Sequence, residues 1–113
     1  MREIKFRAWD NLDKTMDSAE NTTYIENNRP SEFNEFVFMQ YTGLKDAINK
    51  NEVYEHDIIN LLGVGFLKVE WDYRDTGWVC LDKHYKKRNL AEVILNGGIR
   101  VGNVYENPDL IKG

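Results

Sequence analysis

The residues able to do chemistry in this chain are few. Glu55-His56-Asp57 places an imidazole between two carboxylates. In an extended segment, however, neighbouring side chains point to opposite faces, whereas general acid–base catalysis needs groups converging within hydrogen-bond reach. His84 lies in a basic run with only Asp82 as a nearby acid, and reads as a solvated surface histidine. Cys80, in Trp78-Val79-Cys80-Leu81, reads as a small apolar filler, and a buried thiol of that kind is inert. Two histidines and one cysteine do not make a closed Cys/His zinc site within one chain. Gly63-Val64-Gly65 lacks the following helix and Lys-Ser/Thr pair of a phosphate loop. No catalytic residue, metal or cofactor is therefore expected, and the chain reads as non-enzymatic.

Binding chemistry is better represented. Lys83-His84-Tyr85-Lys86-Lys87-Arg88 concentrates four permanent positive charges in a protein of net charge −4. Trp78, Trp71 and Tyr73 lie on the preceding segments. Small β-barrels bind single-stranded nucleic acid with such a combination of cations and aromatic platforms. The overall negative charge opposes that reading, since nonspecific affinity comes from the phosphate term. Protein contact is the favoured alternative, with Lys5, Arg7 and Trp9 as an exposed set and Trp9 as its anchor. Self-association through an unpaired strand edge is a related expectation.

The elements that must position these groups can be read from patterning. A chain of 113 residues, 42% hydrophobic and 30% charged, suits one soluble domain. One cysteine excludes an intramolecular disulfide. No apolar run approaches a bilayer span and the N-terminus lacks a signal-peptide core, so a cytoplasmic location without membrane association is expected. Residues 3 to 9 alternate as a strand, with Ile4, Phe6 and Ala8 on its inner side. Residues 17 to 32 are polar, with a short strand expected at Thr22 to Ile25. Glu35 to Tyr41 is a strand that Thr42-Gly43 should break. Ile58 to Leu62, Phe66 to Tyr73 and Trp78 to Asp82 are further strands, the last two forming a hairpin across Arg74-Asp75-Thr76-Gly77. Asn89 to Asn96 has a helical period, with Asn89 as N-cap and Gly97 as stop signal. Ile99 to Tyr105 is the last strand, and Asn107-Pro108-Asp109 opens a helical turn. Five or six short strands in so small a chain suggest one curved antiparallel sheet closing on itself.

Three stretches together carry a family resemblance. They are Arg2 to Asp10; Met39-Gln40-Tyr41-Thr42-Gly43-Leu44-Lys45-Asp46 with Val53-Tyr54-Glu55-His56-Asp57-Ile58; and Gly102-Asn103-Val104-Tyr105-Glu106-Asn107-Pro108-Asp109-Leu110. Their order and spacing resemble the YopX-like family of small phage and prophage proteins. The resemblance implies a mainly β protein: an SH3-like small β-barrel with an irregular N-terminal extension and short helical turns, in one domain. Residues 1–35 would form the N-terminal strand and polar loop, and 36–113 the barrel. It implies a phage-encoded module working in the host cytoplasm with a phage or host protein, and no carried-over activity. His56 stands where the family has Gly, which would suggest a positive φ there. The motif residues Tyr41, Gly43, Leu44, Tyr54, Asp57, Gly102, Asn103, Tyr105, Asn107 and Pro108 all have architectural readings. Asp57 can close the turn that feeds a strand, and Asn107-Pro108 can end one.

Overall fold

A computed structural model describes residues 4–17 and 36–111. Among these the chain is mainly β, and it divides into two compact units, 1–41 and 42–113. The strand expected at Thr22 to Ile25 lies outside the described residues.

In the first unit, β1 (Phe6–Asp10) pairs antiparallel with β2 (Thr15–Asp17) on one side and with β3 (Phe36–Lys45) on the other. Asp10 closes the β1–β2 turn by accepting the backbone N–H groups of Leu12 and Asp13 on Oδ1. Ala8 and Phe36 form a small core with Phe38 against it. The alternation of β1 misleads in one respect. Arg7, Ala8 and Trp9 are all buried, Trp9 at 6% exposure, so both faces of the strand are covered at its centre. Trp9 is therefore not an exposed anchor. Ile4, expected on the inner side, is exposed instead.

β3 does not break at Gly43. That residue takes a φ of +86°, which glycine adopts without a Cβ penalty, and the strand continues to Lys45. β4 (Glu52–Tyr54) lies beside β3 in the strand order. Thr42 Oγ1 donates to the Val53 carbonyl at 2.7 Å.

The second unit carries a five-stranded antiparallel sheet that curls into half a barrel. Besides β5 (Asp57–Leu61) it comprises β6 (Gly65–Asp72), β7 (Gly77–Leu81), β8 (Lys87–Asn89) and β9 (Ile99–Asn103), in the order β8-β7-β6-β5-β9. The expected hairpin is β6–β7, in register from Lys68↔Leu81 to Asp72↔Gly77. α1 (Leu90–Leu95) begins as its cap predicts, with Asn89 Oδ1 accepting the Glu92 N–H. It ends in a Schellman arrangement: Gly97, at φ +98°, donates to Ile94 and Gly98 donates to Val93. Leu90, Val93 and Ile94 of α1 pack with Val53, Ile59, Leu61, Leu67, Val69 and Cys80 in one core. Cys80 is fully buried there, and desolvation pushes its thiol up to about 12, which leaves no thiolate at neutral pH.

Candidate partner-binding groove

The family-motif residues of the second unit meet in a buried polar frame. Asp57, with no exposed surface, accepts the Tyr54 N–H at 2.7 Å and the Arg100 Nε–H at 3.2 Å on the same oxygen, Oδ2. Asp46, equally buried, takes the Asn49 N–H on one oxygen and the Arg100 N–H on the other. Asn103 closes the turn after β9: its Oδ1 accepts from Tyr105 and Glu106, and its Nδ2 donates to Glu106. Asn107, just ahead of the last helical turn, makes no side-chain cap bond to it. Its Oδ1 turns back to accept the Asn103 N–H, while Pro108 opens the 3-10 turn Pro108–Leu110. A Cβ at Gly102 would displace the Asn107 carboxamide that accepts the Asn103 N–H. Asp46 and Arg100 are members that the sequence did not single out.

His56 occupies a left-handed position, φ +69°, so the turn keeps the backbone that a glycine there would take most cheaply. Its Nδ1 lies 2.7 Å from Glu70 Oε2, and its ring meets Tyr105 edge-on at 5.9 Å. The bond to Glu70 raises its pKa, helped by the charges of Glu70 and Glu55 against burial and Lys68. A histidine whose folded pKa exceeds its unfolded one adds stability below the unfolded value near 6.5, and that stability is lost as pH rises through the folded pKa. His56→Gly removes this pair and relieves the left-handed backbone. The variant is expected to lose stability relative to the parent at pH 5.5 and to match or exceed it at pH 8.5, by urea denaturation at both. An equal difference at the two pH values would remove the pair from the account.

The basic run does not act as four free charges. Lys87 Nζ is 2.8 Å from Asp72 Oδ2 and 3.7 Å from Asp75, and Arg88 Nη1 is 3.1 Å from Asp82 Oδ2. Asp72 is held low chiefly by Lys87, and Asp82 chiefly by the Lys86 N–H, then the His84 N–H and Arg88. Lys83 and Lys86 have no ion pair among the described residues. The aromatic platform is also partly committed. Trp71 and Trp78 meet edge-to-face at 5.0 Å, and Trp78 packs on the core. Tyr73 and Tyr85 are exposed.

Tyr85 sits at the tip of a tight turn. Asp82 Oδ1 accepts the N–H groups of His84 and Lys86, and the Asp82 carbonyl accepts the Tyr85 N–H. Tyr85 is held there at φ +63° and 75% exposed. This turn forms one wall of an open groove of about 800 Å³. The rest of the lining comes from Val64 just before β6, from Gly65, Phe66 and Lys68 of β6, from Leu81 of β7, and from Leu110 and Ile111. The sequence-derived candidates divide here: Lys83 and Tyr85 line the groove, and Lys86 follows them in the chain outside the lining. Lys87 and Arg88 are tied into ion pairs, and Trp9 is buried. His84, read as a solvated surface histidine, is exposed and also belongs to the lining. No helix of the described residues is long and apolar enough to cross a membrane, and no metal-binding group of three or more His, Cys, Asp or Glu occurs among them.

A model of the YopX protein family matches residues 17–112. The fold is similar to the crystal structure of protein EF1440 from Enterococcus faecalis, with a TM-score of 0.68 and 22% identity over 99% of this chain and 100% of that one. No curated protein matches the chain.

Proposed function

The chain belongs to the YopX family, and from that premise we propose that it is a non-enzymatic binding or assembly module, encoded by a phage or prophage, that works through protein contacts in the host cytoplasm. The groove carries this reading. It offers exposed apolar surface beside unpaired cations, a mixture suited to a protein surface of complementary shape and charge. The reactive side chains are occupied otherwise: Cys80 in the core, and His56 in a turn pinned to Glu70.

A second reading, single-stranded nucleic-acid binding, rests on Lys83, Lys86 and the exposed Tyr85. It is the weaker one, because half of the basic run is neutralised by Asp72 and Asp82. Titration with labelled single- and double-stranded DNA and single-stranded RNA separates the two. The expected result is weak binding at low salt that vanishes near physiological salt. Binding that survives physiological salt and is lost in Lys83→Glu/Lys86→Glu would reverse the order of the readings. Lys87 and Arg88 are poor test sites, since their loss breaks ion pairs within the fold. In parallel, the immobilised chain is expected to retain a defined protein from nuclease-treated host lysate, confirmed with the purified partner. Equal retention by the heat-denatured chain would overturn the protein-binding reading.

A further inference from the structure

The groove's charge is opposite in sign to that of the whole molecule. Lys68 and Lys83 line it without an ion pair among the described residues, and His84 is in the lining beside them. Its single acid, Asp82, is already engaged by Arg88 and by two backbone N–H groups. In a chain of net charge −4, this is a locally positive recess. Its lining is otherwise mostly apolar: Val64 at 42% and Phe66 at 41% exposure, with Leu81, Leu110, Ile111 and the Tyr85 ring. Its volume of about 800 Å³ is that of a small-ligand site, but it opens broadly to solvent, as a groove that takes an extended segment does.

Resting on the protein-binding reading above, the geometry points to one occupant: an acidic segment of a partner protein that seats a bulky aliphatic or aromatic side chain on Phe66 and Leu81, with flanking carboxylates paired to Lys68 and Lys83. A polynucleotide fits less well. It carries phosphate at every step, whereas this recess has two unpaired lysines in its lining, and Val64, Leu81, Leu110 and Ile111 offer no flat face for a base to stack on. The Tyr85 turn contributes a rigid rim. Its left-handed backbone is fixed by the Asp82 bonds, so little ordering is needed when a ligand arrives.

A random nine-residue peptide library, displayed on beads and selected against the purified full chain at physiological salt, tests this. Enriched peptides are expected to place Asp or Glu beside one large apolar residue. A fluorescent copy of the best peptide should bind about tenfold more weakly to Phe66→Ala, a truncation expected of an interface anchor. Lys68→Glu/Lys83→Glu should lose binding, and salt should weaken the parent complex. Both variants change partly or fully exposed side chains, and unchanged urea midpoints would confirm that they fold. Enrichment of basic or uncharged peptides overturns the proposed chemistry. Acidic peptides that bind both variants as well as the parent overturn the groove while leaving the protein-binding function standing. No enrichment of any peptide overturns the proposal. If a single-stranded oligonucleotide instead binds at physiological salt, the function fails with it.

Discussion

Asp57→Ala is expected to lower the stability of the protein by about 3 kcal/mol, enough to cost a small domain a large part of its margin. The carboxylate is fully buried at the start of β5, and one oxygen serves two donors from different parts of the chain. The Tyr54 N–H is local and closes the β4–β5 turn; the Arg100 guanidinium comes from β9, which pairs with β5. Removing the carboxylate strands a buried amide donor and takes away the counter-ion of a partly buried cation. Arg100 keeps some solvent exposure, at 29% of its side chain. That exposure allows partial rehydration and keeps the estimate at the lower end for a broken buried pair. Asp57→Asn keeps an acceptor oxygen that can face both donors, gives up only the charge, and should lose clearly less. Urea denaturation of the parent and both variants, with an unchanged m-value, would measure the difference. An Asp57→Ala loss below about 1 kcal/mol would show that water or a repacked Arg100 replaces the carboxylate, and the polar frame would then not be what joins β5 to β9.

What the sequence disclosed follows from range. The β6–β7 hairpin was legible because its signals are contiguous: alternation from Phe66, a turn of Asp and Gly, and alternation again from Trp78. The helix was legible for the same reason, its cap at Asn89 and its stop at Gly97 lying within one short stretch. The architectural reading of Asp57 also rested on near neighbours. Misread features depend on distant partners. Arg100 N donates to Asp46 across 54 positions, and nothing in either residue's surroundings announces it. Lys87 is neutralised by Asp72 from the other side of a hairpin, so a basic run that reads as four free charges delivers two. Trp9 alternates as a half-exposed strand residue would, yet its strand is central in its sheet and buried on both faces. Of the groove's three segments only the basic run announces binding in the sequence; residues 64–68 and Leu110-Ile111 read alone as an ordinary turn with a strand start and as a helical turn. A site of this kind becomes visible only once the sheet has curled and brought them together.

Gly98→Ala should destabilise the second unit by about 3 kcal/mol, the upper part of the range for overpacking a closed core, while Gly97→Ala, one residue earlier, should cost only about 1 kcal/mol. The two adjacent glycines are needed for different reasons. Gly97 has a left-handed φ of +98° but open space where a Cβ would go, so its substitution carries a conformational penalty alone. Gly98 has no left-handed backbone to preserve. A Cβ there would stand 2.7 Å from Val93 Cγ1, 2.8 Å from Ile59 Cγ2 and 2.9 Å from the Val93 carbonyl oxygen. Val93 and Ile59 are both buried core residues, and that carbonyl accepts the Gly98 N–H that ends α1. Relief would have to come by pushing α1 away from β5, which loosens the helix stop and the core packing together. Val93→Ala clears the Cγ1 contact but leaves the carbonyl and Ile59, so in combination with Gly98→Ala it should recover part of the loss. Measured as a double-mutant cycle, the pair should therefore be less destabilised than the sum of the single variants. Additive losses, or a Gly98→Ala no worse than Gly97→Ala, would mean that the helix end shifts freely and that steric fit at this junction does not fix how α1 seats on the sheet.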